Sequence, residues 1–166
     1  LRGRCERLLR KARTEIYWGM NMADAMTPQQ LAHAATQAMW TRDNATHALG
    51  MTLESVAPGH AVMRMTVRSD MVNGHHICHG GLIFTLADSA FAYACNSYNL
   101  NTVASACSID FLAPAREGDV LEATAVERST SGRTGVYDIE VKVLGANTVA
   151  LFRGKSYRIK GEVIAG

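Results

Sequence analysis

The sequence predicts an α+β fold in which an antiparallel sheet wraps around one long, buried helix. Two observations lead to this prediction. The run over residues 80–97 is apolar on almost every side, which is typical of a helix embedded in a core. Residues 103–159 instead alternate between apolar and polar positions and are interrupted by short turns, which is typical of strands joined as hairpins. One apolar helix followed by a run of hairpins makes an α+β plan.

The composition is that of a single globular domain. The chain has 166 residues, of which 48% are hydrophobic, enough for a substantial core. No apolar run free of polar groups approaches the roughly 18 residues of a membrane span, and the first residues lack the apolar centre of a signal peptide. The four cysteines have no paired spacing, which favours reduced thiols. We therefore expect a soluble, cytoplasmic protein that does not bind a membrane.

Charge is distributed unevenly along the chain. Residues 1–13 carry six basic side chains against one acidic side chain, whereas the remainder is mildly acidic and gives no support to nucleic-acid binding over the fold. The basic segment could be an arm for nucleic acid or anionic lipid. However, the chain begins with Leu and plausible start methionines follow at positions 20, 22 and 26. We expect residues 1–26 to be an extension without a role in function, and residues 27–166 to form the functional domain.

The elements before the long helix are predicted from capping and alternation. Thr27 followed by Pro28 is a favourable helix start, and apolar residues then recur at helical spacing, so a helix is expected over 28–40. Residues 47–56 and 60–69 are predicted to form two strands around the turn "APGH", because apolar and polar positions alternate in the second segment.

The long helix is predicted from Gly80 to about Ser97. Its few polar or small positions share one stripe at helical spacing. They are Thr85, Asp88, Ser89, Ala92 and Asn96. The pattern predicts one solvated groove along a helix that is otherwise embedded.

Four strands are predicted after the helix, over residues 103–111, 119–129, 137–143 and 148–159. The intervening turns are "PAREGD", "TSGR" and "LGAN", which contain the glycines, prolines and small polar residues that turns require. The sequence shows no repeat, linker or low-complexity segment that would divide this domain.

The stretch "NGHHICHGG", residues 73–81, allows two side-chain interpretations. His75, His76 and His79 have spacings that would bring metal ligands together on a helix, but the glycines predict a loop, and no carboxylate stands nearby as a further ligand. The alternative is loop histidines that are hydrogen-bonded or solvated. Cys78 and His79 could also form a nucleophile and base, although sequence neighbours rarely meet in that way and a free cysteine is more often a small buried hydrophobe.

A third interpretation uses the backbone. A helix that begins with two glycines exposes unpaired N–H groups, which can hold a carbonyl oxygen as it becomes an oxyanion. Asp88 would then act as general base or nucleophile, or it is a structural carboxylate satisfied by Thr85 or a loop amide. Gly80 and Asp88 are about 12 Å apart along a helix, too far to act on one carbonyl. The catalytic interpretation therefore predicts a two-fold dimer in which antiparallel helices bring Gly80 of one chain opposite Asp88 of the other.

Several blocks carry a resemblance to a known family. "NGHHICHGGLIFTLADSAFAYACNS", "VASACSIDFLAPAREGD", "GRTGVYDIEV" and "TVALFRGKSYRI" occur in this order and together closely resemble the hotdog-fold acyl-CoA thioesterases of the phenylacetate-degradation type, over about residues 28–162. The resemblance implies a hotdog fold, homodimers and often homotetramers. It implies that Asp88 is the catalytic carboxylate and that the Gly80 amide polarises the thioester carbonyl. His79 and Asn73 match positions that bind near the thioester or orient the attacking group.

The resemblance also implies the chemistry. The expected activity is hydrolysis of an acyl-CoA thioester, with ring-hydroxylated phenylacetyl-CoA as the expected substrate. No metal or cofactor is expected, since a thiolate is already a good leaving group and coenzyme A is part of the substrate. Water activation by Asp88 is favoured over direct attack, but the sequence leaves both open. The alternatives are an enoyl-CoA hydratase or dehydratase on the same fold, and a non-catalytic acyl-CoA-binding protein.

Cations and hydroxyl groups are needed for the phosphates of coenzyme A. The predicted turn at "TSGRTG" offers Ser131, Arg133 and Thr134, and the last strand offers Arg153 and Lys155. The alternative is a solvated hairpin turn and a charged edge strand.

Overall fold

The computed structural model describes residues 26–164. The predicted basic extension, residues 1–26, lies outside these residues except for Met26. Within residues 26–164, no helix is both long enough and apolar enough to cross a membrane.

The first helix, α1 (Pro28–Trp40), begins as predicted. The Thr27 side chain accepts a hydrogen bond from the Gln30 N–H, and the Gln30 side chain accepts from the Thr27 N–H, which forms a capping box. A short helix, α2 (Asn44–Ala48), follows where the sequence predicted the start of a strand. That prediction is wrong for residues 47–51, because the Asp43 side chain caps α2 by accepting from the backbone and the hydroxyl of Thr46.

The first two strands form the predicted hairpin. Strand β1 (Thr52–Ala57) and strand β2 (His60–Thr66) are antiparallel, and Gly59 takes the turn with φ of +69°, a conformation that favours glycine. The second strand ends at Thr66 rather than at residue 69, because a single 3-10 turn over Ser69–Met71 follows.

The central helix, α3 (Gly80–Asn96), is confirmed. Most of its length is buried, while Thr85, Asp88, Ser89 and Ala92 keep partial exposure, as the predicted stripe requires. Asn96 does not belong to that groove. It is 5% exposed, and its side-chain amide donates to the Thr102 carbonyl and accepts from the Thr102 N–H, so it joins the end of the helix to the following strand.

The remaining strands complete one sheet. They are β3 (Leu100–Phe111), β4 (Val120–Ser131), β5 (Thr134–Val143) and β6 (Thr148–Glu162). The sheet has six strands in the order β1-β2-β4-β5-β6-β3 among the residues described, and every pairing is antiparallel. All four predicted strands are confirmed. Strands β3, β5 and β6 extend beyond the predicted ranges at one end, and β4 begins one residue later and ends two residues later than predicted.

The core lies between α3 and the inner face of the sheet. Helix and sheet make a close contact at Gly154 of β6, where an added Cβ would lie 2.8 Å from the Phe91 ring of α3. Glycine is needed here because any side chain would collide with that ring. The helix therefore lies close to the sheet at this point.

The two edges of the sheet differ. At the β1 edge, the Gln29 side chain of α1 donates to the Val56 carbonyl at 2.7 Å. At the other edge, β3 pairs only with β6 among the described residues. Residues 103–106 of β3 are exposed, Val103 at 45%. A strand of this length with one unpaired side is a template for another strand.

Candidate active site

A cleft of about 420 Å³ lies at the start of α3. Asn73 and Gly80 line it together with apolar side chains that include Phe111 and Leu112. The loop before the helix holds its shape through the Asn73 side chain, which accepts from the His75 N–H at 2.9 Å. The structure thus brings two of the sequence-predicted site residues, Asn73 and Gly80, into one mostly apolar cleft.

The backbone amide of Gly80 is a free donor in this cleft. Of the four N–H groups in the first turn of α3, that of Gly81 donates to the His79 side chain, and those of Leu82 and Ile83 donate to the His79 carbonyl. The Gly80 N–H finds no acceptor among residues 26–164. The sequence predicted two exposed glycine amides, and the structure leaves one, which the helix macrodipole makes more positive.

Phe111 explains why residue 80 lacks a side chain. A Cβ at position 80 would lie 3.1 Å from the Phe111 ring, which is closer than ordinary van der Waals contact. Glycine therefore lets the aromatic ring approach the helix terminus and line the cleft beside it.

His79 acts as the N-cap of α3. Its Nδ1 atom accepts from the Gly81 N–H at 3.0 Å, so the neutral ring carries its proton on Nε2. That Nε2–H group is a donor at the exposed end of the helix. His75 and His76 lie on the exposed loop. Within the described part of the chain, no three His, Cys, Asp or Glu side chains form a group able to hold a metal ion.

Asp88 lies half-buried on α3. Its only side-chain partner among residues 26–164 is the thiol of Cys107, with the sulfur 3.9 Å from Oδ1. The Thr85 hydroxyl donates to the Gly81 carbonyl instead, so Thr85 does not satisfy the carboxylate. Burial raises the pKa of Asp88, and the hydrogen bond from Cys107 partly opposes that rise. A buried carboxylate with a single weak hydrogen-bond donor takes up a proton more readily than a solvated one, as a general base must.

Gly80 and Asp88 remain apart within one chain. The cleft that contains Gly80 is not lined by Asp88, and the eight-residue separation on one continuous helix corresponds to about 12 Å. The residues of a single chain therefore do not bring the free amide and the carboxylate onto one carbonyl.

A second cleft, of about 310 Å³, lies beside the turn between β4 and β5. Arg133, Thr134 and Arg158 line it. Arg133 also stacks on Tyr157, with its guanidinium carbon 5.6 Å from the ring centroid. Neither arginine forms an ion pair within residues 26–164. Sequence reasoning missed Arg158, which reaches this cleft because its N–H donates to the Arg133 carbonyl at 2.7 Å.

The other predicted cationic residues lie elsewhere. Arg153 and Lys155 alternate with buried residues of β6 and so project from the face of the sheet opposite α3. Arg153 donates to both oxygens of Asp138, at 2.7 and 2.9 Å, and this pair holds the pKa of Asp138 below its usual range. Ser131 offers its carbonyl to the Thr134 hydroxyl. The structure thus separates Arg133 and Thr134 from Arg153 and Lys155.

The architecture, a long helix packed across one antiparallel sheet, is that of the hotdog fold. A family model described as "Thioesterase superfamily" matches residues 75–150. The acyl-coenzyme A thioesterase PaaI of Escherichia coli strain K12 is 54% identical over 136 residues, which cover 80% of this chain and 97% of that protein.

Two solved structures agree with this result. The E. coli PaaI protein from the phenylacetic acid degradation operon has a TM-score of 0.77 at 55% identity, covering 80% of this chain and 98% of that one. A variant of the phenylacetic acid degradation protein PaaI from Thermus thermophilus has a TM-score of 0.68 at 41% identity, covering 70% and 100%. The chain belongs to the thioesterase superfamily, among the PaaI-type acyl-coenzyme A thioesterases, and is a thioester hydrolase.

Proposed function

We propose that this enzyme hydrolyses aryl-acetyl-CoA thioesters, with ring-hydroxylated phenylacetyl-CoA as its preferred substrate, and releases the free acid and coenzyme A. The observation that carries the catalytic proposal is the Gly80 N–H, which has no acceptor within the described chain at the start of a long helix. The acyl group is suggested by two relatives whose titles refer to phenylacetic acid degradation. The mostly apolar cleft beside the free amide is compatible with an aromatic acyl group.

In this mechanism the thioester carbonyl accepts the Gly80 N–H. A water molecule attacks the acyl carbon while Asp88 removes its proton, and the oxyanion that forms is stabilised by the amide and the helix dipole. The carbon–sulfur bond then breaks, and coenzyme A leaves as a thiolate. His79 and Asn73 act as donors that orient the carbonyl or the water. No cofactor enters these steps, since coenzyme A is part of the substrate.

The proposed site is shared between two chains. Because Gly80 and Asp88 are about 12 Å apart along α3, a partner chain must supply one of them. The open β3 edge supports such pairing, because an unpaired strand favours a second strand. At the β1 edge, by contrast, the Gln29 side chain already occupies the Val56 carbonyl. A two-fold axis beside β3 would place two antiparallel copies of α3 next to each other and create two equal sites. We propose a homodimer of this kind, with two dimers forming a tetramer.

The cleft beside the β4–β5 turn is the proposed site for the coenzyme A phosphates. Arg133 and Arg158 are free of ion pairs within residues 26–164 and line one cleft with the Thr134 hydroxyl. Guanidinium groups bind phosphate oxygens well. Arg153 is a weaker candidate, because Asp138 already neutralises it. The free thiols of Cys78, Cys95 and Cys107 support a cytoplasmic location.

The deciding experiment is the release of free thiol from phenylacetyl-CoA by the wild-type protein, by Asp88→Asn and by the control Ser89→Ala. Loss of a general base lowers the rate by about 10²-fold to 10⁴-fold, so we expect Asp88→Asn to be nearly inactive and Ser89→Ala to match the wild type. Thiol release that survives Asp88→Asn would contradict the assignment. With crotonyl-CoA, a change in enoyl absorbance without thiol release would favour a hydratase instead.

Thermal unfolding separates a catalytic from a structural role of Asp88. Burial raises the pKa of Asp88 in the folded state, so its contribution to stability is present below its unfolded pKa of about 3.9 and is lost as the pH rises through the folded value. At neutral pH the neutral side chain of Asp88→Asn avoids that loss. We therefore expect the Tm of Asp88→Asn to equal or exceed the wild-type Tm, whereas a structural carboxylate would give a lower Tm.

A further inference from the structure

Cys107 contacts the carboxylate of Asp88. Its sulfur lies 3.9 Å from Oδ1, within hydrogen-bonding distance for a thiol. No Lys, Arg or His of residues 26–164 forms an ion pair or a hydrogen bond with Asp88. Cys95, on the same helix, faces Asp88 only at longer range, where the carboxylate charge raises its pKa. Within the described chain, Cys107 is thus the one side chain that hydrogen-bonds to this carboxylate.

The register of β3 places Cys107 there. Cys107 and Ile109 lie on the inner face of the strand, and Cys107 is paired with Gly154 of β6. Because Gly154 has no side chain, the Phe91 ring packs directly on the strand, and Asp88 lies one helical turn before Phe91. The helix is therefore close enough to the sheet for two short side chains, Asp88 and Cys107, to meet.

The thiol can donate but is a poor nucleophile. Burial raises the pKa of Cys107, and the charge of Asp88 raises it further. A thiolate, not a thiol, is the reactive form of cysteine, so at neutral pH Cys107 stays protonated. Its S–H group is then available to the carboxylate oxygen, and a hydrogen bond to the charged form of an acid favours that form.

We propose that Cys107 is a positioning residue, whose S–H group holds one oxygen of Asp88 and favours the ionised carboxylate, leaving the other oxygen to take the proton of the attacking water. The proposal rests on the proposed catalytic role of Asp88. It assigns to β3 a part in the chemistry in addition to its place at the edge of the sheet.

The test compares the pH dependence of kcat/KM for Cys107→Ala, Cys107→Ser and the control Ser108→Ala. Cys107→Ala removes the donor. We therefore expect the acid limb of its pH profile, where kcat/KM falls with decreasing pH, to move to higher pH by about half a unit to one unit, and kcat at neutral pH to fall about threefold to tenfold. Cys107→Ser keeps a donor and should leave the limb close to its wild-type position. Ser108 lies on the opposite face of the same strand, and its removal should change neither quantity.

Two results would overturn the proposal. The first is a Cys107→Ala enzyme whose acid limb and kcat equal those of the wild type. The second is a Cys107→Ser enzyme whose limb moves as far as that of Cys107→Ala, which would mean that the size of sulfur matters and hydrogen bonding does not. If Cys107→Ala fails to fold, Cys107→Val, which fills more of the space and also lacks a donor, takes its place in both comparisons. An active Asp88→Asn enzyme would instead refute the proposed function, so the two failures are distinct.

Discussion

Replacing Gly80 with proline removes the free amide at a position where the backbone suits proline, although the ring also adds a Cβ next to Phe111. The residue occupies the first position of α3, where proline is well tolerated, and its N–H donates to no group within residues 26–164. His79 has φ of −63° and ψ of 127°, the extended conformation that proline requires of the residue before it. Gly80→Pro should therefore fold with α3 intact while losing the donor that the proposed mechanism needs.

The expected loss is large. Removing one oxyanion donor costs about 10²-fold to 10³-fold in kcat, or about 2.7 to 4 kcal/mol of transition-state stabilisation. Gly80→Ala is the matched control, because it keeps the N–H but places a Cβ 3.1 Å from the Phe111 ring. Phe111 is 53% exposed and can shift by a few tenths of an ångström, so alanine should lose less than about tenfold. Steady-state thiol release from phenylacetyl-CoA measures both values.

Two outcomes would refute this reasoning. A Gly80→Pro enzyme within about tenfold of the wild-type kcat would show that the amide does not stabilise the transition state. Equal losses in Gly80→Pro and Gly80→Ala would assign the effect to crowding against Phe111. Thermal unfolding of both variants confirms that the measured rates belong to folded protein.

Three further predictions concern pH, assembly and packing. Burial raises the pKa of Asp88, so kcat/KM should fall with decreasing pH through a limb above the ordinary value of about 3.9, and a limb at or below that value contradicts the proposed base. An equimolar, co-refolded mixture of Asp88→Asn and Gly80→Pro should regain about a quarter of the wild-type rate, because each mixed dimer has one intact site; a site within one chain would regain nothing. Gly154→Ala should lower the free energy of unfolding by about 1 to 3 kcal/mol, because its methyl group overlaps the Phe91 ring, and urea unfolding equal to that of the wild type would contradict this.

Local sequence signals were sufficient for most of the fold. The capping residues at Thr27 and Pro28 identified the start of the first helix, and apolar residues on every side identified α3. The segment over 47–51 was misassigned, because the cap that starts α2 depends on one side chain, Asp43, with no wider periodicity around it. Strand order was also beyond local patterns, since hydrogen bonding between β3 and β6 joins segments distant in the chain.

The candidate site was predictable only where its residues lie close together in the sequence. Gly80 and Asp88 stand out within one helix, so their types and spacing are visible in the sequence. The sequence does not show that Arg153 is ion-paired, because its partner Asp138 lies on a different strand and meets it only through the register of β5 and β6. The same holds for Arg158, which joins Arg133 through strand pairing, and for Cys107, which reaches Asp88 from another element.

The open edge strand has a consequence for how this enzyme responds to its own concentration. Residues of β3 reach both halves of the proposed site, through Cys107 at Asp88 and Phe111 at Gly80. If two chains pair along this strand, dissociation would divide each site and also release the strand that shapes it. Specific activity would then fall on dilution, steeply once most chains are monomeric, because the number of dimers varies with the square of the monomer concentration. A substitution in β3 would then change both the affinity between subunits and the turnover rate.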